Sequence, residues 1–209
     1  GSNNDPLREE ICYRFRQVFG LDLKWYPGKN GRCGELKILN SVLSSVFRLV
    51  FGFDKARSYS KRVPDIVFNV PRELRKAFLR GYFLGDGTIR RTGISCSTTS
   101  KDLAAGILSL LSSMGIIATL HSREPSDTEG IIRGKPIRTR HSYHTITVSA
   151  LDDLAGIESV WQDHHLAGLL REKILHGSSK NRNRRFAPLN GDLVGLKVTK
   201  VKDIQPSSK

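Results

Sequence analysis

Helical and strand periodicities alternate along this chain in an order that repeats. The run "SNNDP" offers capping side chains and a proline for a first turn, and predicts a helix to about Phe19. "GLDLKWY" switches to a period of two, with Leu21, Leu23 and Trp25 on one face and Asp22, Lys24 and Tyr26 on the other. A "PGKNG" turn and "RCGELKIL" complete a hairpin. Val42, Leu43, Val46, Phe47 and Val50 return to helical spacing, which predicts a second helix from Asn40 to Phe51.

The order then recurs. "TIRRTGISCS" reads as a hairpin, and "TTSKD" is a second capping signal before a helix to Met114. "GIIATLHSRE" alternates, residues 124–141 read as a loop rich in Gly, Pro and charge, and "SYHTITVS" alternates back. Helical segments follow from Ala150 to about Leu175. This second unit is preceded by a further helix and hairpin that the first lacks, an asymmetry that places the start of the first unit upstream of residue 1. Beyond it, "HGSSKNRNRR" reads as an exposed linker, and "GDLVGLKVTKVKDI" spaces Leu196, Val198 and Val201 like a strand. The expected organisation is a partial first half over 1–70, a second half over 71–176, and a basic linker with a strand over 177–209.

Charge narrows the partner. Lys and Arg number 34 against 20 Asp and Glu, a net charge of +14 on 209 residues. A basic surface spread over a folded domain favours a polyanion, most often nucleic acid. No apolar run approaches the roughly 18 residues of a membrane span, and there is no signal-peptide pattern. The three cysteines, Cys12, Cys33 and Cys96, lack metal-ligand spacing and read as buried free thiols. An intracellular, cytoplasmic, nucleoid-associated location is the expectation.

One helix carries candidate chemistry. In "FLRGYFLGDGTIRR" Gly81 and Gly85 lie one turn apart on one face, where they remove side chains and admit a close neighbour. Each glycine costs about 1 kcal/mol against alanine in a helix interior, so such a pair needs a reason. Asp86 follows at the C-terminal end, where the helix dipole disfavours an anion. On spacing alone two readings stand: a solvated Asp on a glycine-capped helix, or a carboxylate that meets a cation.

Residues 79–87, "LRGYFLGDG", resemble the LAGLIDADG motif of homing endonucleases in both packing glycines and the final acid-glycine pair. The surrounding blocks "KRVPDIVFNVPRELRKAF" and "TTSKDLAAGILSLLSSMGIIATL" resemble those flanking the second motif copy of the intein-encoded branch. "LVGLKVTKVKDI" is similar to the strand that leads into an intein's C-terminal splicing motif. The resemblance implies an α+β fold with helices on saddle-shaped antiparallel sheets, a pseudo-twofold repeat whose first half is truncated. It implies two motif helices packed through small residues, each delivering its acid beside a scissile phosphate, with the acids sharing divalent metal, Mg²⁺. Asp86 carries over as the metal ligand and Lys61, in "SKRVP", as the catalytic-pocket lysine, against the plain alternative of a surface lysine. Only one copy is present: "LAGLL" at 166–170 imitates the name, but Lys173 and Ile174 stand where the acid and glycine belong. His164 and His165 lack a third ligand and read as surface or core histidines.

Strand parity puts Leu21, Leu23, Trp25, Leu36, Ile38, Ile94, Cys96, Ile116, Ala118, Leu120, Ile146 and Val148 toward the helices. The opposite faces show Lys24, Tyr26, Lys37, Arg90, Ser95, Ser97, Thr119, His121, Arg123, Tyr143, Thr145 and Thr147. Such a face suits the major groove, and a solvated sheet face is the plain alternative. Arg91 is expected on DNA; Arg133, Lys135, Arg138 and Arg140, with Lys180, Arg182, Arg184 and Arg185 of the tail, are expected on phosphates, and disordered, solvated charge is the equal alternative for the tail. The expected function is a site-specific, metal-dependent double-stranded DNA endonuclease domain. Its missing partner is either the first motif half or a second copy of the chain docked through Gly81 and Gly85. The alternatives are a non-catalytic DNA-binding module or an RNA-splicing cofactor. No splicing chemistry is expected, because a nucleophile at the first residue and a His-Asn pair at the last are both missing.

Overall fold

The computed structural model describes residues 5–28, 34–52, 57–90, 92–125, 130–132, 135–137, 141–176, 186–188, 194–196, 198, 200 and 201. The first unit consists of α1 (Asp5–Phe19), a hairpin of β1 (Lys24–Tyr26) and β2 (Glu35–Lys37), and α2 (Ser41–Leu49). Asn40 caps α2 by accepting from the Leu43 N–H at 3.0 Å. Tilted rings run from one helix to the other, Phe15 to Phe19 at 4.7 Å, Phe19 to Phe47 of α2 at 6.0 Å and Phe47 to Phe51 at 5.2 Å.

A short 3-10 helix (Asp65–Asn69) leads into α3 (Arg72–Asp86), β3 (Gly87–Arg90), β4 (Gly93–Thr98) and α4 (Lys101–Ser112). Then come β5 (Thr119–Arg123), a small hairpin of β6 (Gly130–Ile132) and β7 (Lys135–Ile137), and β8 (Tyr143–Val148). Helices α5 (Leu151–Gly156), α6 (Glu158–Trp161) and α7 (Ala167–His176) follow, and β9 (Phe186–Pro188) pairs with β10 (Val194–Leu196). The main sheet is antiparallel in the order β3-β4-β8-β5. Its inner face, Ile89, Ile94, Cys96, Ile146 and Val148, is buried with Leu79 and Phe83 of α3 and Ile107, Leu110 and Leu111 of α4. Trp161 closes the far side, fully buried, its indole N–H donating to the Leu154 carbonyl at 2.9 Å. No described helix is long and apolar enough to cross a membrane.

Several expectations need correction. Leu120 has inward parity, opposite Ile146, yet is 47% exposed because β5 is the sheet's edge strand. Leu21 and Trp25 are also open, because no second layer covers them among the described residues. Trp25 lies between the Arg8 guanidinium, 5.0 Å from its ring centroid, and the bare backbone of Gly34, where a Cβ would fall 2.1 Å from the indole. The expected loop 124–141 contains the antiparallel β6–β7 pair, in which Ile132 lies opposite Lys135. Among the described residues the expected C-terminal strand covers Val194–Leu196, and Val198 and Val201 are exposed outside it. The helical run from 150 splits in three, first where Ile157 leaves helical geometry at φ −123°, ψ 29°.

Candidate functional site

The polarity of α3 sets the site. Leu79 and Phe83 are buried in the core, while Gly81 and Gly85 are exposed, and a Cβ built on either would meet open space within 4 Å. Packing among the described residues therefore gives no reason for either glycine. Exposed Ala77 extends the same small-residue row by another turn. Beside the row, Arg80 donates from Nε to Asp163 at 2.8 Å and from Nη2 to Glu10 of α1 at 3.1 Å, and Glu10 also pairs with Arg14 at 2.9 Å. Those guanidinium bonds hold Glu10 below the usual carboxylate range.

Asp86 is the last residue of α3 and is exposed. Gly87 leaves the helix in extended geometry, its N–H bonded to the Phe83 carbonyl. Here glycine is required, since a Cβ would lie 2.2 Å from the Phe83 ring. Among the described residues none hydrogen-bonds or ion-pairs with the Asp86 carboxylate. Beneath it, burial and then the Asp86 charge push the Cys96 thiol up to about 12, and burial first also raises the Tyr82 phenol. The Tyr82 hydroxyl is buried with no hydrogen-bond partner among the described residues, and it borders a cavity of about 30 Å³ with Phe83 and Cys96.

His164, read from the sequence as a surface or core histidine, is half-buried against this helix end. Its ring lies 5.6 Å from that of Phe83 and stacks on His165 at 4.3 Å. Nδ1 accepts from the Leu166 N–H at 3.1 Å, and the ring also bonds the Gly87 backbone. Burial and then His165 hold the imidazole below its usual pKa, against the Gly87 bond. No spacing in the sequence joins His164 to Gly87; only the fold does.

Among the described residues no three His, Cys, Asp or Glu side chains are grouped to hold a metal. A lone exposed carboxylate fits a hard cation that keeps most of its waters, provided that a second carboxylate comes from outside these residues. Lys61 has an exposed side chain, and its carbonyl accepts from the hydroxyl of Ser100, the α4 cap.

The basic faces form as parity requires. In the first hairpin Lys24 pairs directly across from Lys37, and both ammoniums approach the Tyr26 ring, at 5.7 and 4.7 Å. Like charges placed opposite one another are unfavourable without an anion nearby, and Glu35, 3.2 Å from Lys37, is the described counterion there. On the main sheet the Ser97 and Thr145 hydroxyls bond each other at 2.9 Å, and Thr119 bonds the Thr147 carbonyl. Arg123 donates to His121 Nε2 at 3.2 Å and to the Tyr143 hydroxyl at 3.3 Å, which fixes its plane. Arg90 is exposed at the end of β3. Ser95 is a correction: flanked by Thr88 and Thr147 on the neighbouring strands, it is buried and offers no contact surface. Arg91, Arg133, Arg138, Arg140, Lys180, Arg182, Arg184 and Arg185 lie outside the described residues, as does the side chain of Lys135.

Residues 73–152 match the family described as the LAGLIDADG-like domain. The chain is 31% identical over 153 residues to a DNA polymerase of Thermococcus sp. (strain GE8), covering 68% of this chain and 9% of that protein. It is 22% identical over 202 residues to a probable translation initiation factor IF-2 of Methanocaldococcus jannaschii, covering 94% of this chain and 16% of the relative. The chain thus spans a small part of the curated relatives it matches. Its fold is that of I-DmoI solved in complex with DNA and Ca, with TM-score 0.55 at 14% identity over 82% of this chain and 80% of that one.

Proposed function

Because this chain carries a LAGLIDADG-like domain over residues 73–152, we propose that it is the DNA-binding and half-catalytic part of a site-specific, metal-dependent DNA endonuclease. The observation that carries this reading is α3: an exposed terminal carboxylate with no hydrogen-bond or ion-pair partner among the described residues, at the end of a glycine row that no described side chain covers. A second helix set on Gly81 and Gly85 would bring its own acid beside Asp86, supplied either by a first motif half or by a second copy of the chain. Asp86 would hold Mg²⁺ and Lys61 would face the phosphate. A divalent cation bound there lowers the pKa of a water and stabilises charge on the leaving oxygen. The Lys24–Lys37 pair and the Arg123 cluster would grip the duplex, phosphates supplying affinity and Arg123 reading a base edge.

Relatives as different as a DNA polymerase and a translation initiation factor share this segment over small fractions of their length. Such a pattern suits an inserted unit carried in unrelated hosts, as in an intein. A plasmid-nicking assay in Mg²⁺ tests the reading: the chain paired with a second copy, or extended by a first motif half, should nick, and Asp86→Asn should fall to background while still binding duplex DNA. Duplex binding without nicking, by the chain and by its paired form, would instead establish a binding module, a reading favoured by the single motif copy in this sequence. Tighter binding to structured RNA than to duplex DNA would make it an RNA cofactor.

A further inference from the structure

The segment from Lys61 to Phe68 is strapped along α4 from one end to the other. At the far end Arg75 donates to the Phe68 carbonyl at 3.0 Å, the Val70 carbonyl at 2.9 Å and the Ser113 hydroxyl, just past α4, at 3.0 Å. In the middle Val63 is buried against Gly106, where a Cβ would come within 2.7 Å of its Cγ2, so the strap rests on bare helix. At the near end the fully buried Ser100 does two jobs with one hydroxyl. It donates to the Lys61 carbonyl and accepts from the Leu103 N–H at 3.2 Å, while the Ser100 N–H is held by Thr98 Oγ1 at 3.1 Å. A hydroxyl has one proton to donate, and here it is committed to Lys61.

The topology gives this fastening a purpose. Gly87, next to Asp86, pairs with Cys96, and Ser100 is four residues further along, about 13 Å if extended. The strap's register on α4 thus puts Lys61 at the end of the sheet where α3 delivers Asp86. We propose that Ser100 is a positioning residue for Lys61, holding its backbone so that the ammonium is presented toward the Asp86 end. This inference rests on the reading of Lys61 as the site's lysine.

The Lys61 carbonyl is also the atom that trypsin attacks at the Lys61-Arg62 bond, so the clamp can be measured without any DNA cleavage. Glycine is nearly as good a helix cap as serine but has no hydroxyl, whereas alanine is a poor cap. Ser100→Gly and Ser100→Ala should both raise native-state cleavage after Lys61 about tenfold, the effect of one lost hydrogen bond, while Ser100→Thr stays near the parent. Acceleration in Ser100→Ala alone would reduce the hydroxyl to a helix cap and overturn the clamp. The second readout is nicking at saturating DNA: the rate should fall in Ser100→Gly with duplex affinity unchanged, and return in Ser100→Thr. Faster proteolysis with an unchanged nicking rate would overturn the positioning role. A parent chain that never nicks, paired or extended, would sink the endonuclease reading by itself, and the tryptic result would still decide whether Ser100 holds Lys61.

Discussion

The two units of this chain share one order of elements and differ in what that order buries. Between α1 and α2, residues 5–52, no described apolar residue is buried; every buried one lies from Val63 onward. Ile11, Val18, Trp25, Val42 and Leu49 of the first unit stay exposed at positions that would face a second layer. The second unit has the same helix, hairpin and helix, but α3 and a four-stranded sheet complete its core. An amphipathic pattern therefore states what an element needs, and only a partner layer supplies it. The motif helix is that partner in the second unit, and no counterpart is described in the first.

The sharpest break in the comparison comes from matched truncations. Trp161→Ala removes a fully buried indole and its bond to Leu154, and should cost about 3–5 kcal/mol in urea unfolding. Leu49→Ala, at a residue 76% exposed, should stay within about 0.5 kcal/mol. Equal losses would mean that the first unit is packed by something that these contacts omit. Thiol chemistry offers a second contrast. Cys96 is buried beneath Asp86 with its pKa pushed up to about 12, so it should resist alkylation at pH 8 until the domain unfolds, while half-buried Cys12 labels in the native state.

Most element positions were legible because periodicity and capping are local: Asn40 and Ser100 cap the helices that their sequences announce. The two glycines and the acid of α3 were legible as a motif, and no described atom lies within 4 Å of a Cβ at Gly81 or Gly85. Illegible were the properties set by distant residues. Exposure of Leu120 depends on β5 being an edge, and closure over Ser95 depends on both neighbouring strands. The contact of His164 with Gly87 and the bond from Ser100 to Lys61 join residues 77 and 39 positions apart, and no local pattern encodes either.

The glycine row sharpens the comparison from the other side. Gly81→Ala and Gly85→Ala each introduce a methyl into open space, so each should stabilise the isolated chain by about 1 kcal/mol, read from the urea midpoint. If the row is where a second helix docks, the same substitutions should abolish pairing and nicking. Stabilisation with activity intact would remove the pairing role.

The smallest effect concerns the seam between the units, where Glu10 of α1 and Asp163 share Arg80. Arg80→Ala should cost under about 1 kcal/mol overall, because the pairs are partly exposed and screened by salt. The loss should concentrate in α1, whose amides ought to exchange faster while those of α4 are unchanged. Acid should act in the same way. Glu10 titrates lower folded than its ordinary 4.5, so the native state binds its proton less readily than the unfolded one. The stability from this pair is complete above pH 4.5 and is lost as pH falls through the lowered native value. Glu10→Gln should therefore flatten the acid dependence of α1 exchange and leave the core of the second unit untouched. A change spread evenly over both units would show that they unfold as one, and that the difference in burial does not divide the molecule's stability.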